Sequence, residues 1–208
     1  MIYSSCKVVN SHVIFPKPQD LYLMATNRTI NSLSTLYIVL QLLLTLTAGT
    51  IDTCSPPSYG PVLNGVDVVS VFTSAISGNS TVPSIGSPEL SYVDEEGFEW
   101  WFESSSNLED FKSTPASYPL GAGGYCALAV SGNDPACDYE VCTGPACLDS
   151  ADTHAVYEGK LYFFLGSGAR KLFEQDLQEN LKNVEDVITD VEIRNEITCL
   201  NTEVFRCQ

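Results

Sequence analysis

The sequence predicts an α+β fold, a small, mostly antiparallel sheet with helices packed on it and disulfides stapling it. Three observations predict it. Two aromatic and β-branched runs, 90–93 and 98–102, flank a Gly-containing turn, Asp94-Glu95-Glu96-Gly97, which is the pattern of a β-hairpin. From Ala169 onward, Leu172, Phe173, Leu177, Leu181, Val184, Ile188 and Val191 recur at three- and four-residue steps, the period of an amphipathic helix. Seven of the eight cysteines follow an apolar leader, the usage of disulfide chemistry in an oxidising compartment.

The leader comes first. Residues 36–47, LYIVLQLLLTLT, form an uncharged apolar run of 12 residues, preceded by Arg28 and followed by Ala48-Gly49. A membrane span needs about 20 residues, so this run has the form of a signal-peptide core with small residues at a cleavage site after Ala48 or Gly49. Met24 lies just upstream of a normal-length start. The expected organisation is therefore an N-terminal extension over 1–23, a signal peptide over 24–49 and a single domain over 50–208. It implies a secreted product or one retained in the secretory-pathway lumen. The alternative is membrane anchoring by an uncleaved signal.

Beyond residue 48 the chain carries 7 Lys and Arg against 25 Asp and Glu, a formal charge of −18. Nucleic-acid partners need a basic face and are not expected. No membrane contact is expected after signal cleavage. The expected partners are a metal ion or an extracellular molecule. The acidic residues are spread along the chain, as on a solvated surface, and no complete calcium-loop pattern occurs. Asn79-Ser80-Thr81, in a Gly/Ser-rich loop, is a glycosylation sequon that a eukaryotic secretory pathway would use.

The domain then reads in order. Residues 54–61, CSPPSYGP, lack periodicity. Residues 67–72, DVVSVF, suit a short strand or a buried turn of helix. The stretch 73–88 is a Ser, Gly and Pro-rich loop leading to the hairpin. Ser106 with Glu109 fits a helix capping box, Leu108 and Phe111 share one helical face, and Pro115 stops the helix. Residues 121–130, GAGGYCALAV, are a glycine turn feeding a small apolar segment. The stretch 131–152 is loop-like. Residues 159–165, GKLYFFL, are nearly all apolar and predict a central strand. The Trp100-Trp101 and Tyr162-Phe163-Phe164 runs are expected in the core, with a carbohydrate-stacking surface as the alternative.

Gly97, Trp100, Trp101, Phe102, Ser104, Phe111, Pro115 and Tyr118, with Gly123-Gly124-Tyr125-Cys126-Ala127 and Gly159-Lys160-Leu161-Tyr162, together resemble the YHS family of small metal-binding domains. The closer likeness is to a secreted YHS-like subgroup with a GGYCA-type segment. The resemblance spans residues 64–181. It implies that Trp100, Phe102, Phe111 and Tyr118 close a core. It also implies thiolates beside the strand–helix turn, which suit soft ions such as zinc or copper(I). At the matching positions this chain has Glu103 and Asn107, so that metal role does not carry over. The resemblance implies redox or metal contact, with copper or zinc as the cofactor, at Cys126.

Cys126 is accordingly the first candidate for a catalytic or metal-contacting residue. The preceding glycines let backbone amides approach and lower a thiol pKa. The competing reading is a small buried hydrophobe among Tyr125, Ala127, Leu128 and Val130. His154, the only histidine beyond the leader, forms a nucleophile–base pair with Cys126 in one reading and is a surface or loop residue in the other. Cys54, Cys137, Cys142, Cys147, Cys199 and Cys207 are the disulfide candidates. Cys54 with Cys207 or Cys199 would join the two ends of the domain, and one of the three cysteines at 137, 142 and 147 must pair elsewhere or stay free. The function classes left open are a metal-contacting or other binding module, a thiol redox protein or enzyme, and a purely structural extracellular module.

Overall fold

Asp67 starts the first helix and settles what DVVSVF becomes. Its Oδ1 accepts from the amides of Val69 and Ser70, both at 3.0 Å, so the β-branched run enters helix α1, Val68–Ile76, instead of a strand. These assignments come from a computed structural model, which describes residues 54–135, 144–195 and 198–207. The extension over 1–23, the signal segment 24–49 and the cysteines at 137 and 142 lie outside the described residues.

The hairpin follows. Strands β1, Ser87–Val93, and β2, Glu99–Phe102, pair antiparallel with Tyr92 opposite Trp100, and the register shifts between Ser87 and Ser91. In the turn Gly97 takes φ +90°, a conformation that glycine adopts without strain. Phe98, Trp100 and Phe102 face inward at the period of two that a strand imposes. Helix α2, Ser105–Ser113, begins two residues earlier than a cap at Ser106 would place it. Ser104, not Ser106, is the N-cap, and its hydroxyl accepts from the Asn107 amide at 3.1 Å. Phe111 is buried, and Pro115 opens a separate 3-10 turn, Pro115–Ser117, as expected of a helix stop.

The glycine turn Gly121–Gly124 leads to the four-residue helix α3, Ala127–Val130. Gly123, at φ +58°, has no room for a side chain, because a Cβ there would lie 2.0 Å from the Cys199 carbonyl oxygen. That close approach lets the Asn201 amide donate to the Gly123 carbonyl at 2.8 Å, docking the C-terminal segment.

Strands β3, His154–Tyr157, and β4, Lys160–Phe163, form a second antiparallel hairpin. Its turn residues Glu158 and Gly159 both have positive φ, which matches the twist of a tight hairpin. β4 is central, as expected. β3 lies along one edge, and Leu120 and Cys126 bridge in parallel to Leu161 and Phe163 along the other. Its apolar run also faces two cores. Leu161 and Phe163 join Val62, Leu63, Phe102 and Phe111 on one side, while Tyr162 and the following Phe164 join Tyr125, Leu128 and Phe173 on the other.

The C-terminal helical pattern is two helices, α4, Ser167–Gln175, and α5, Leu177–Asn195, broken at Asp176 (φ −126°, ψ 52°). Phe173, Leu181, Val184 and Val191 are buried as the periodicity requires, whereas Leu172 is 41 % exposed. Among the described residues two disulfides, Cys54–Cys199 and Cys147–Cys207, close the fold and suit an oxidising environment. The expected α+β, disulfide-stapled architecture is therefore what the chain adopts, with two two-stranded sheets among the described residues. No helix among the described residues is long and apolar enough to cross a membrane.

Candidate functional site

At the strand–helix turn, where the resemblance points to thiolates, a buried carboxylate organises neutral donors. Asp67 is fully buried. Its Oδ2 accepts from the Glu103 amide and from Asn107 Nδ2, both at 2.8 Å, while its Oδ1 caps α1. Four donors thus converge on one carboxyl group and bind α1, β2 and α2 together. Asn107 is spent on this contact, and Glu103 takes part through its backbone.

Cys126 is the free cysteine among the described residues, and it has no exposed surface. Its Sγ accepts from the Leu165 amide at 3.4 Å, and its own amide donates to the Gly144 carbonyl at 3.1 Å. The expected lowering of its pKa is reversed. Burial raises the thiol above its ordinary value and outweighs the backbone hydrogen bonds that lower it. The glycines upstream serve the docking of the C-terminal segment.

His154 is also fully buried, not a surface or loop residue. It lies in β3 opposite Phe163, ring centroids 6.0 Å apart, and neither ring nitrogen has a hydrogen-bond partner among the described residues. Burial, then the Arg170 charge, lower its pKa. Cys126 and His154 flank β4 from opposite edges, both level with Phe163. Two strand spacings separate their backbones by about 10 Å, and no hydrogen bond joins them. The nucleophile–base pair is not assembled.

No grouping among the described residues fits zinc or copper(I). Among the described residues, the one grouping of three candidate ligands is Cys147, Asp149 and Cys207, and both sulfurs are in a disulfide. A disulfide sulfur has no thiolate charge to offer, which leaves a single carboxylate. Of the other candidates, Asn79 is exposed in the loop after α1. Trp100, Tyr162, Phe163 and Phe164 are buried, and Trp101 is half-buried against Gly65, so these runs belong to the core.

An open concavity lies elsewhere. A pocket of about 420 Å³ lies between the β1–β2 turn, the 115–123 segment, α5 and the 198–200 segment. Its walls include the aromatic rings of Tyr92, Trp100, Phe111 and Tyr118, with Phe111 in the middle: Trp100 is 4.9 Å away, Tyr118 6.0 Å and Tyr92 6.1 Å between centroids. Asp94, Glu95, Glu96 and Glu192 supply its carboxylates. Asp94 Oδ2 accepts from the Trp100 indole at 2.9 Å, and its Oδ1 from the amides of Glu96 and Phe98. Glu96 accepts from the Thr198 amide and hydroxyl, and Glu192 from the Cys199 amide.

No family model, curated protein or solved structure matches this chain. The geometry alone therefore carries the functional reading. Sequence spacing gives no sign of the pocket. The family resemblance implies Trp100, Phe111 and Tyr118 as core closers, and the spread of the carboxylates along the chain reads as general surface charge. An Asp six residues before a Trp across a turn is the one local signal for the Asp94–Trp100 contact. Asp67 escapes the sequence reading as well, although an Asp directly before an apolar run is an N-cap signature.

Proposed function

We propose that this chain is a secreted, disulfide-stapled binding module of YHS-like architecture, and that its site is the aromatic pocket beside the β1–β2 turn. The observation that carries this reading is the contrast between an open aromatic pocket and a free thiol sealed inside the core. Small-molecule sites are concave and largely apolar with a few placed polar groups, a description that fits the pocket. A thiol catalyst needs an accessible thiolate, and burial works against both access and ionisation at Cys126. The two disulfides and the signal-like leader support secretion, and the exposed Asn79 is available for glycosylation in a eukaryotic host. The alternative of a thiol redox protein or enzyme is separated by alkylation of the folded protein with iodoacetamide. Cys126 is expected to stay unmodified until denaturant unfolds the chain, whereas modification of folded protein at the rate of an exposed cysteine would sink the binding-module reading in favour of thiol chemistry.

A further inference from the structure

We infer that the aromatic pocket takes an organic ammonium ion, a quaternary or primary amine on a small apolar body. The inference rests on the reading of this pocket as the binding site. Aromatic faces carry negative charge density and attract a cation within about 6 Å of the ring centroid. Here the half-buried Tyr92 and Tyr118 bring such rings to the pocket wall, and the buried Trp100 and Phe111 pack beside them. The pocket lining contains four carboxyl side chains and no Lys, Arg or His among the described residues. None of those four takes part in a salt bridge among the described residues. The hydrogen bonds of Asp94, Glu96 and Glu192 come from an indole, a hydroxyl and backbone amides, all neutral. The pocket is therefore negative, which repels an anion and attracts a cation. An inorganic ion is poorly matched, because calcium or magnesium seeks six or more oxygen ligands and the walls offer ring carbons. A methylated or alkyl ammonium satisfies both features, with its charge against the carboxylates and its carbon against the rings.

The test uses choline, and dimethylbutanol as its neutral isostere, titrated into the full domain and followed by the two tryptophan indole N–H signals in nitrogen-edited NMR. Choline is expected to move the Trp100 signal and leave Trp101 in place, to bind at least about tenfold more tightly than the isostere, and to weaken as salt rises. A Glu95→Gln/Glu192→Gln variant is expected to lose about fivefold in choline affinity. The substitution at Glu192 keeps a side-chain oxygen for the Cys199 amide, and Glu95 is exposed, so the fold is retained. Equal binding of the two probes at Trp100 overturns the ammonium inference and leaves the pocket standing as an apolar site. Choline binding with Trp100 unmoved places the site elsewhere and overturns the inference. No binding of either probe overturns both the inference and the reading of the pocket.

Discussion

His154 holds two ring nitrogens in the core with no hydrogen-bond partner among the described residues. A neutral imidazole is one donor and one acceptor, and a buried unsatisfied group costs about 1–3 kcal/mol. The same burial lowers the pKa of this histidine in the folded chain, so the unfolded chain takes up the proton first as pH falls. Between the two pKa values the unfolded state binds more protons, and stability rises with pH there. The window opens at the ordinary value of 6.5 and extends downward. Urea unfolding from about pH 7 to about pH 5 is therefore expected to show stability declining below about 6.5, more steeply in the wild type than in His154→Phe. At neutral pH the variant is expected to equal or exceed the wild type by about 1 kcal/mol, because an apolar ring leaves nothing unsatisfied. Equal slopes for both proteins would mean that His154 gains its proton freely in the folded state. The position of this residue is not legible in the sequence. His154 begins a four-residue strand whose pattern is too short to show a period, and only pairing with β4 puts it inside.

Among the elements, the junction of α1, β2 and α2 depends on Asp67 more than on any helix propensity. Removing its carboxyl strands three backbone amides and the Asn107 side chain at once. Asp67→Ala is expected to cost about 3 kcal/mol or more, and Asn107→Ala about 1–2 kcal/mol, by urea denaturation. The order of the two is the decisive readout: if Asn107→Ala is the more damaging, Asp67 is not the organising group. Where local chemistry and burial agree, the sequence discloses the element. The Gly97 turn between aromatic runs makes the first hairpin legible, the nearly all-apolar β4 announces a strand buried on both faces, and the spacing of Leu181, Val184 and Val191 marks α5. Where they disagree it does not. The β-branched Val68, Val69 and Val71 favour a strand, and one side chain ahead of them tips the balance to helix. The Asp176 break is hidden because apolar spacing continues across it, which leaves Leu172 predicted inside and found outside. The pocket is illegible for a different reason. Tyr92, Tyr118 and Glu192 come from separate segments, and no spacing rule brings them together.

The whole molecule combines a formal charge of −16 with two modest cores, and self-repulsion of that charge favours expansion. The disulfides oppose it. Cys54–Cys199 spans 145 residues and Cys147–Cys207 spans 60. In the chain-entropy model closing the longer loop stabilises by about 5 kcal/mol and the shorter by about 4 kcal/mol. The loops interleave, so closing one shortens the path that the other must close, and their contributions are less than additive. The C-terminal segment that both bonds anchor also carries Thr198, Cys199 and Leu200 to the pocket wall. Opening either bond should therefore loosen the pocket as well as the fold. A Cys54→Ser/Cys199→Ser variant is expected to lose about 3–5 kcal/mol against urea, and to lose more stability than the wild type when salt is lowered, because its expanded state relieves more charge repulsion. The paired variant Cys147→Ser/Cys207→Ser should lose less. A loss below about 1 kcal/mol for the first pair would mean that the Gly123–Asn201 hydrogen bonding and the surrounding core hold the two ends together without the covalent link.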